Sequence, residues 1–401
     1  MKNSSPYVVV FTLWLLVFSS ASQTMIISPI LPQIGDDLDI ADAVLGTLVT
    51  AYSLMVGLFA ILSGPVSDRI GRRRILLAGC GVMTVALASH GLVDSYWSFL
   101  GVRVFAGMAG GVLSGAAVSY IGDYFPYDRR GWAVGWVMSG AAFGQIIGIP
   151  MGIVMAERWG FHSPFYLFAI TMALTLPLLF FGVPQPPVKR TSERLTVSGA
   201  FADYVTLLKR PEVAWAAVAY FVMFFGVAVF VIYLPTWLER DLGASGDQIA
   251  LMFLVGGIAN VVTGPQAGKL SDRIGRKGII LLSCIGLSVL MLGTVPLVTN
   301  ITIAYVFFFL TMVLVAMRVS PFSALLTGLV RDERRGSLMS LAVALGQLGF
   351  ALGGAVSGPM FARVGYASNT VLGAVFVLGM GLVVWFFIPE PNLEAAPATA
   401  D

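Results

Sequence analysis

Gly64-Pro-Val-Ser-Asp68-Arg69-Ile-Gly71-Arg72-Arg73 and Gly268-Lys-Leu-Ser-Asp272-Arg273-Ile-Gly275-Arg276-Lys277 carry the same six letters in a row, Ser-Asp-Arg-Ile-Gly-Arg, 204 positions apart (Asp68 to Asp272). Each stretch separates two long apolar runs. A basic, glycine-containing turn of this kind, present twice, predicts a duplicated chain whose turns lie at a membrane surface.

Composition leads the same way. Of 401 residues, 57% are apolar and 11% charged, with a mean hydropathy of +0.87; soluble domains carry about 25% charged residues. Twelve apolar runs, from Tyr7–Leu31 to Asn369–Ile388, are long enough for the roughly 20 residues that cross hydrocarbon. The first is too long for a signal peptide and lacks a small-residue cleavage site. With the two turns in the cytoplasm, 19 of 24 Lys and Arg fall on that side, three (Arg158, Arg240, Arg363) outside and two (Arg103, Arg318) within runs. This bias predicts a multi-pass protein of a cell membrane, a bacterial inner membrane, with both termini cytoplasmic. The basic residues are topology signals, so no nucleic-acid partner is expected.

Other landmarks repeat at nearly the same offset. Leu31-Pro32 matches Leu234-Pro235, Arg129-Arg130-Gly131 matches Arg334-Arg335-Gly336, and Cys80 matches Cys284. The predicted fold is an all-α membrane protein of twelve transmembrane helices in two pseudo-symmetric six-helix bundles. These are an N-terminal bundle over 1–183 and a C-terminal bundle over 213–389. A cytoplasmic linker spans 184–212, in which 200–208 reads as a short surface helix or a plain tether. A disordered tail covers 390–401. Such repeats suit transporters that rock about a site between their halves. The cysteines read as buried, unpaired thiols. His90 and His162 lack metal-site spacing, and neither metal nor cofactor is expected.

The hairpin pattern G-x-x-x-D-R-x-G-R-R/K, between spans two and three and again between eight and nine, resembles that of the major facilitator superfamily, and the resemblance covers nearly the whole chain. Arg103 with Gly107 resembles the family's R-x-x-x-G element of span four. Asp123-Tyr-Phe-Pro126 with Arg130-Gly131 resembles its link from span four to span five. Gly144-Gln-Ile-Ile-Gly148-Ile-Pro150-Met-Gly152 resembles its antiporter motif, G-x-x-x-G-P-x-x-G-G, departing from it with Ile149 before the proline and Ile153 at the last glycine. This variant resembles the branch of twelve-span drug:proton antiporters and small-molecule exporters.

The resemblance implies a cytoplasmic gate. Gly64, Asp68, Arg69, Gly71, Arg72 and Arg73 would act with Asp123 and Arg130, and Gly268, Asp272, Arg273, Gly275 and Arg276 would form the repeat-related counterpart. By the family's architecture the Asp68 hairpin neighbours the start of span eleven near Gly336, and the Asp272 hairpin the start of span five near Gly131. A carboxylate facing a helix N-terminus contributes about 1 to 2 kcal/mol when partly buried, so such contacts would hold that side shut. Gly328 stands where the repeat would place a second Asp123, so the first hairpin is expected to be the responsive one. The alternative is that these charges only fix topology.

In this family spans one, four, seven and ten line a central cavity. All 21 acidic residues fall in loops or near span ends, whereas Arg103 and Arg318 are embedded. An embedded arginine costs at least about 3 kcal/mol and is functional by default. Arg103 is expected to bond the backbone of span one, serving either packing or coupling together with Gly107, Gly144, Gly148, Pro150 and Gly152. Arg318 reads either as an anion anchor in the cavity or as an arginine snorkelling to the surface. Gln23, Thr24, Met25, Phe224, Tyr233, Asn260 and the pair Gln145 and Gln347, taken as repeat-related, are the other cavity candidates. Their aromatic and Met members read more readily as core or lipid-facing than as ligand contacts, so the polar members carry the weight. Asp36, Asp37, Asp39 and Asp42 read as a solvated loop.

With no catalytic group beside a base and no P-loop, an enzyme is not expected. The sequence reads as a monomeric secondary transporter that exports a small neutral or anionic amphipathic compound by alternating access, in exchange for protons. Its partners are that small-molecule substrate, protons and the lipid bilayer. Proton-coupled uptake of an organic anion is the alternative. A membrane sensor would need a signalling domain, for which the linker has no room.

Overall fold

The computed structural model describes residues 5–186, 204–330 and 332–390, without the side chains of 64, 65, 68, 69, 127, 128, 327 and 332–336. Every regular element among them is helical, as a hydrocarbon solvent demands, because an unpaired backbone group there costs several kcal/mol. Twelve helices are long and apolar enough to cross a membrane. In order they are Pro6–Met25, Asp42–Ser63, Arg72–Leu92, Tyr96–Tyr124, Arg129–Trp159, Ser163–Gly182, Pro211–Leu242, Gly246–Ile274, Arg276–Leu297, Ile301–Leu326, Ser337–Val364 and Tyr366–Phe387, numbered below as spans one to twelve.

Spans one to six pack among themselves, as do spans seven to twelve. The two sets meet where span two lies along span eleven and where span five lies along span eight. Several spans are interrupted, which the apolar runs did not foretell. Span one ends at Met25, and a separate short helix, Leu31–Asp37, follows it. The helix Leu234–Leu242 repeats this arrangement after Pro211–Val231, each starting at its Leu-Pro landmark. Span four breaks at Ser114 and Gly115, the glycine at φ +72°, before helix Ala116–Tyr124. Span five carries a π-helical turn over Gly144–Gly148.

The expected helix at 200–208 is described only from Tyr204, where the chain is helical to Leu208; Lys189, Arg190 and Arg194 of the linker lie outside the described residues. So does the tail beyond Glu390. Cys80 and Cys284 are buried free thiols.

Candidate functional site

Both hairpins are built the same way. Helix Asp42–Ile70 stops, Gly71 takes φ +108°, and helix Arg72–Ser89 begins at the next residue. Gly275 does the same at φ +97° between Gly246–Ile274 and Arg276–Leu297. L side chains avoid this conformation, so a one-residue reversal of two helices requires glycine. In the first hairpin Arg72 Nε donates to the Asp123 carboxylate at 2.7 Å and Nη1 to Ser67 Oγ at 3.0 Å. Arg73 donates to the Phe180 carbonyl. In the second, Arg276 donates to Asp272 at 3.1 Å and to the backbone carbonyl of Ala324 at 3.2 Å, because span ten offers no carboxylate at Gly328.

Each hairpin is also held by the residue that follows the last span of its own half. Gln185 Oε1 accepts the Arg73 N–H at 3.2 Å, and the Glu390 carboxylate accepts the Arg276 N–H. Glu390 is therefore part of a cap and not of a free tail. The sequence carried the signal: Pro184-Gln185-Pro186 and Pro389-Glu390-Pro391 lie 205 apart.

Among the described residues no hydrogen bond or ion pair joins the second hairpin to the start of span five. The Asp272 side chain is 59% exposed, and a Cβ built on Gly131 would meet nothing within 4 Å. Arg130 Nε donates to Phe125 O at 3.0 Å. For the first hairpin, the Asp68, Arg69 and Gly336 side chains lie outside those described. Beside Arg72 a cavity of about 60 Å³ is lined by Ser63, Ser67, Ser114 and Ser119 of the N-terminal half and Ser340 of span eleven.

The halves close at the far end, away from the hairpins. Tyr233, fully buried, accepts the Gly46 N–H at 2.8 Å and donates to the Asp42 carbonyl at 2.5 Å. Arg240 bridges two carboxylates of the other half, Asp36 at 3.1 Å and Asp42 at 2.8 Å. Ser28 Oγ reaches the carbonyls of Val231 and Ile232, both at 3.0 Å, and Thr50 Oγ1 donates to the Ala351 carbonyl at 2.6 Å. Spans two and eleven touch through glycine: a Cβ on Gly46 would come within 2.2 Å of the Gly354 carbonyl oxygen, and one on Gly358 within 2.4 Å of that of Ala43. Two expectations are corrected here. The Asp36 to Asp42 segment is no mere solvated loop, because Arg240 comes from the other half to meet it. Tyr233 is a closing contact rather than a cavity wall.

Arg103 lies between spans two and four, not against span one. The reason is steric: Gly107, one turn on, has no side chain, and a Cβ there would sit 2.5 Å from the Tyr52 carbonyl oxygen, so span two comes close enough to take the guanidinium. Arg103 Nε donates to Leu48 O at 3.4 Å, and its Cζ stands 4.3 Å from the Tyr52 ring centroid. The Tyr52 hydroxyl in turn accepts from Gln23 Nε2 at 2.7 Å and lies 2.8 Å from Thr24 Oγ1. Two expected cavity residues of span one are thus tied to Arg103 through a tyrosine that the sequence reading did not single out. Met25, beside them, is partly exposed.

The family model described as Major Facilitator Superfamily matches residues 13–240 and 216–401. The chain belongs to this superfamily. An uncharacterised MFS-type transporter of Bacillus subtilis (strain 168), YwfA, is 25% identical over 98% of this chain and 95% of its own length. The multidrug resistance protein MdtG of Proteus mirabilis is 28% identical over 75% of each chain. The inward-open structure of the xylose transporter XylE from E. coli shares the fold, with a TM-score of 0.76, 18% identity and coverage of 97% of this chain and 98% of that one. A Major Facilitator Superfamily chain is a membrane transporter and not an enzyme.

Within this superfamily fold the antiporter-like stretch has a packing role. Cβ atoms on Gly144 and Gly148 would meet Ser22 Oγ at 2.7 and 2.3 Å, and one on Gly152 would meet Ile26 at 2.7 Å, so the three glycines bring span five onto span one. Pro150 lies in the first turn of the helix Ile149–Trp159 that follows the π-helical turn. Span eleven mirrors this on span seven: Gly349 would meet the Phe221 carbonyl oxygen at 2.3 Å and Gly353 the Ala228 Cβ at 2.6 Å. Their offset from Gly144 and Gly148 is 205 (349 less 144), a repeat the sequence reading missed. It also corrects the pairing of Gln145 with Gln347, which is three residues out of that register. Each glutamine instead lies where the halves meet, Gln145 against Gly257 and Gln347 against Gly57.

The remaining cavity candidates scatter. Asn260 Nδ2 reaches Met312 O at 3.5 Å. Phe224 stacks on Tyr220, against Gly346. Arg318 neither lines an open space nor snorkels. It is 1% exposed, inside the C-terminal half against the Cys284 thiol of span nine.

Proposed function

We propose that this protein is a secondary active exporter of a small amphipathic organic compound, working by alternating access in exchange for protons. The observation that supports it best is the difference between the ends: polar and glycine contacts join the halves at the far end, while at the other the Asp272 side chain of the second hairpin stays largely exposed. Taking the hairpin side as cytoplasmic, from the excess of Lys and Arg there, the contacts at the far end seal the outer side. A cytoplasmic compound enters, the hairpin side closes, and the far-end contacts separate to release it. The similarity to multidrug resistance proteins supports the outward direction. Arg72 with Asp123 is the responsive latch in this reading and Asp272 with Arg276 the simpler one. The protein works as a monomer in a bacterial inner membrane.

Proteoliposomes holding an inward-directed proton gradient test this. Efflux of an amphipathic reporter that rises with the gradient and collapses with a protonophore is expected, together with sensitivity of a deletion strain to the compound. Gradient-driven accumulation instead would make the protein an importer.

A further inference from the structure

We infer that a cleft between spans one and five, at their hairpin-side ends, binds a flat aromatic compound that carries an acidic group, and that such compounds are a substrate class of the transporter. The second clause rests on the exporter reading; the binding is measured apart from it. The cleft follows from one ridge of span five, in which Trp132, Trp136, Gly140, Gly144 and Gly148 follow one another at steps of four, the spacing that lines side chains into a row. A Cβ on Gly140 would sit 2.6 Å from the Trp14 carbonyl oxygen, so the glycine part of the ridge lies flush on span one. Trp136 and Trp132 continue it with the bulkiest of side chains. There the two helices enclose a cavity of about 460 Å³, lined by Tyr7, Val10, Phe11, Trp14, Trp132 and Trp136. This volume falls within the roughly 300 to 1,000 Å³ of small-molecule sites.

Ring contacts close the cleft at both ends. Tyr7 meets Trp132 edge-on with centroids 5.7 Å apart, and deeper in the span Trp14 meets Phe143 at 5.5 Å. Between them Phe11 stacks only within its own helix, on Trp14. Trp136 is 58% exposed and pairs with no other ring among the described residues. A slot with unpaired ring faces on both walls suits a flat aromatic body, which gains stacking as well as apolar burial; an acyl chain gains burial alone. Tryptophans near a membrane surface commonly anchor a helix among the headgroups, but these two are in register with a face that another span covers.

The polar groups select the charge. Trp14 Nε1 is spent on Ser139 Oγ at 3.1 Å, whereas the indole N–H groups of Trp132 and Trp136 donate to nothing among the described residues. An indole only donates. Arg129, one turn before Trp132 on the same side of the helix, is exposed, and none of the ion pairs among the described residues involves it. No acidic side chain lines the cleft. Donors without an acceptor, beside a cation, fit a carboxylate on the ring. They disfavour an organic cation, which the ring faces alone would attract.

Quenching of tryptophan fluorescence in the purified full-length protein, held in phosphatidylcholine nanodiscs, measures binding of 2-naphthoate. Quenching should saturate. Decanoate, an acid without a ring, and tetraphenylphosphonium, a cation, should not displace the naphthoate, and 2-naphthamide should bind more weakly. Trp136→Leu and Phe11→Leu change exposed positions and keep apolar bulk; each should weaken 2-naphthoate about three- to tenfold, read by thermal stabilisation because one of them also removes a fluorophore. Trp136→Phe keeps a ring face and should weaken it less than Trp136→Leu. Arg129→Gln should narrow the gap between naphthoate and naphthamide. No saturable quenching, as when lipid fills the cleft, displacement by decanoate or by the cation, or affinity unchanged in both leucine variants would overturn the assignment. Saturable binding without gradient-driven efflux of 2-naphthoate would leave the cleft standing and refute the substrate claim.

Discussion

Arg240 holds two carboxylates that belong to the other half, and this makes it the side chain most exposed to the movement between states. Partly solvated ion pairs contribute about 0.2 to 1 kcal/mol each, so Arg240→Ala should shift the population toward opening at the far end by roughly two- to tenfold. Labelling of a cysteine placed at Ser28 by a membrane-impermeant thiol reagent reads that shift; unchanged labelling would mean the pairs are incidental. Tyr233→Phe removes two hydrogen bonds made across the halves while keeping the ring stacked on Phe361, and should act in the same direction by a similar factor. At this scale the sequence was only partly legible. Arg103 was readable as embedded because its charge stands out in an apolar run. Its partner Tyr52 was not, since a tyrosine in a span announces nothing until the span opposite is known to approach through Gly107. Arg240 escaped notice because a charge in a short loop reads as solvated unless the other half is known to press on it.

At the scale of elements, the hairpins were the most legible feature, because a one-residue helix reversal can be made with few letters. Gly71→Ala and Gly275→Ala should each cost about 1 to 3 kcal/mol of backbone strain, Gly71→Ala more, since its Cβ would also fall 2.9 Å from the Gln185 side chain; thermal unfolding of the two variants should rank them in that order. Asp123→Asn breaks a cross-helix pair, whereas Asp272→Asn breaks one within a single hairpin. The first should slow efflux several-fold more than the second, and equal effects would mean the hairpins act alike. The breaks in the spans were the least legible. Ser114-Gly115 and Gly144–Gly148 are ordinary small or apolar letters in a membrane segment, and only packing against neighbours decides whether such a run stays regular. Arg318 illustrates the same limit from the other side. Its position in span ten was correct, but its direction is set by the small Cys284 of span nine.

For the whole molecule, the twelve spans and the duplication follow from hydropathy and a single offset, because a bilayer permits few solutions to a chain this apolar. Which end is closed does not follow, since both ends are built from repeated parts. Linking the halves at the far end should trap them. A Thr50→Cys, Ala351→Cys pair should form a disulfide on oxidation, stop transport, and recover on reduction, with Cys80 and Cys284 buried and silent. Transport that persists in the oxidised protein would show that the far end does not open.

The glycine contacts between spans two and eleven bear on something other than motion. Where Gly46, Gly354 and Gly358 meet backbone carbonyls, there is no space for water between those two spans, so this contact should resist ions as well as movement. Gly354→Ala, whose added methyl would press on the Gly46 carbonyl at 2.9 Å, should wedge that contact open. Its signature would be a proton leak across proteoliposomes without substrate, the current that the proposed proton exchange would have to avoid.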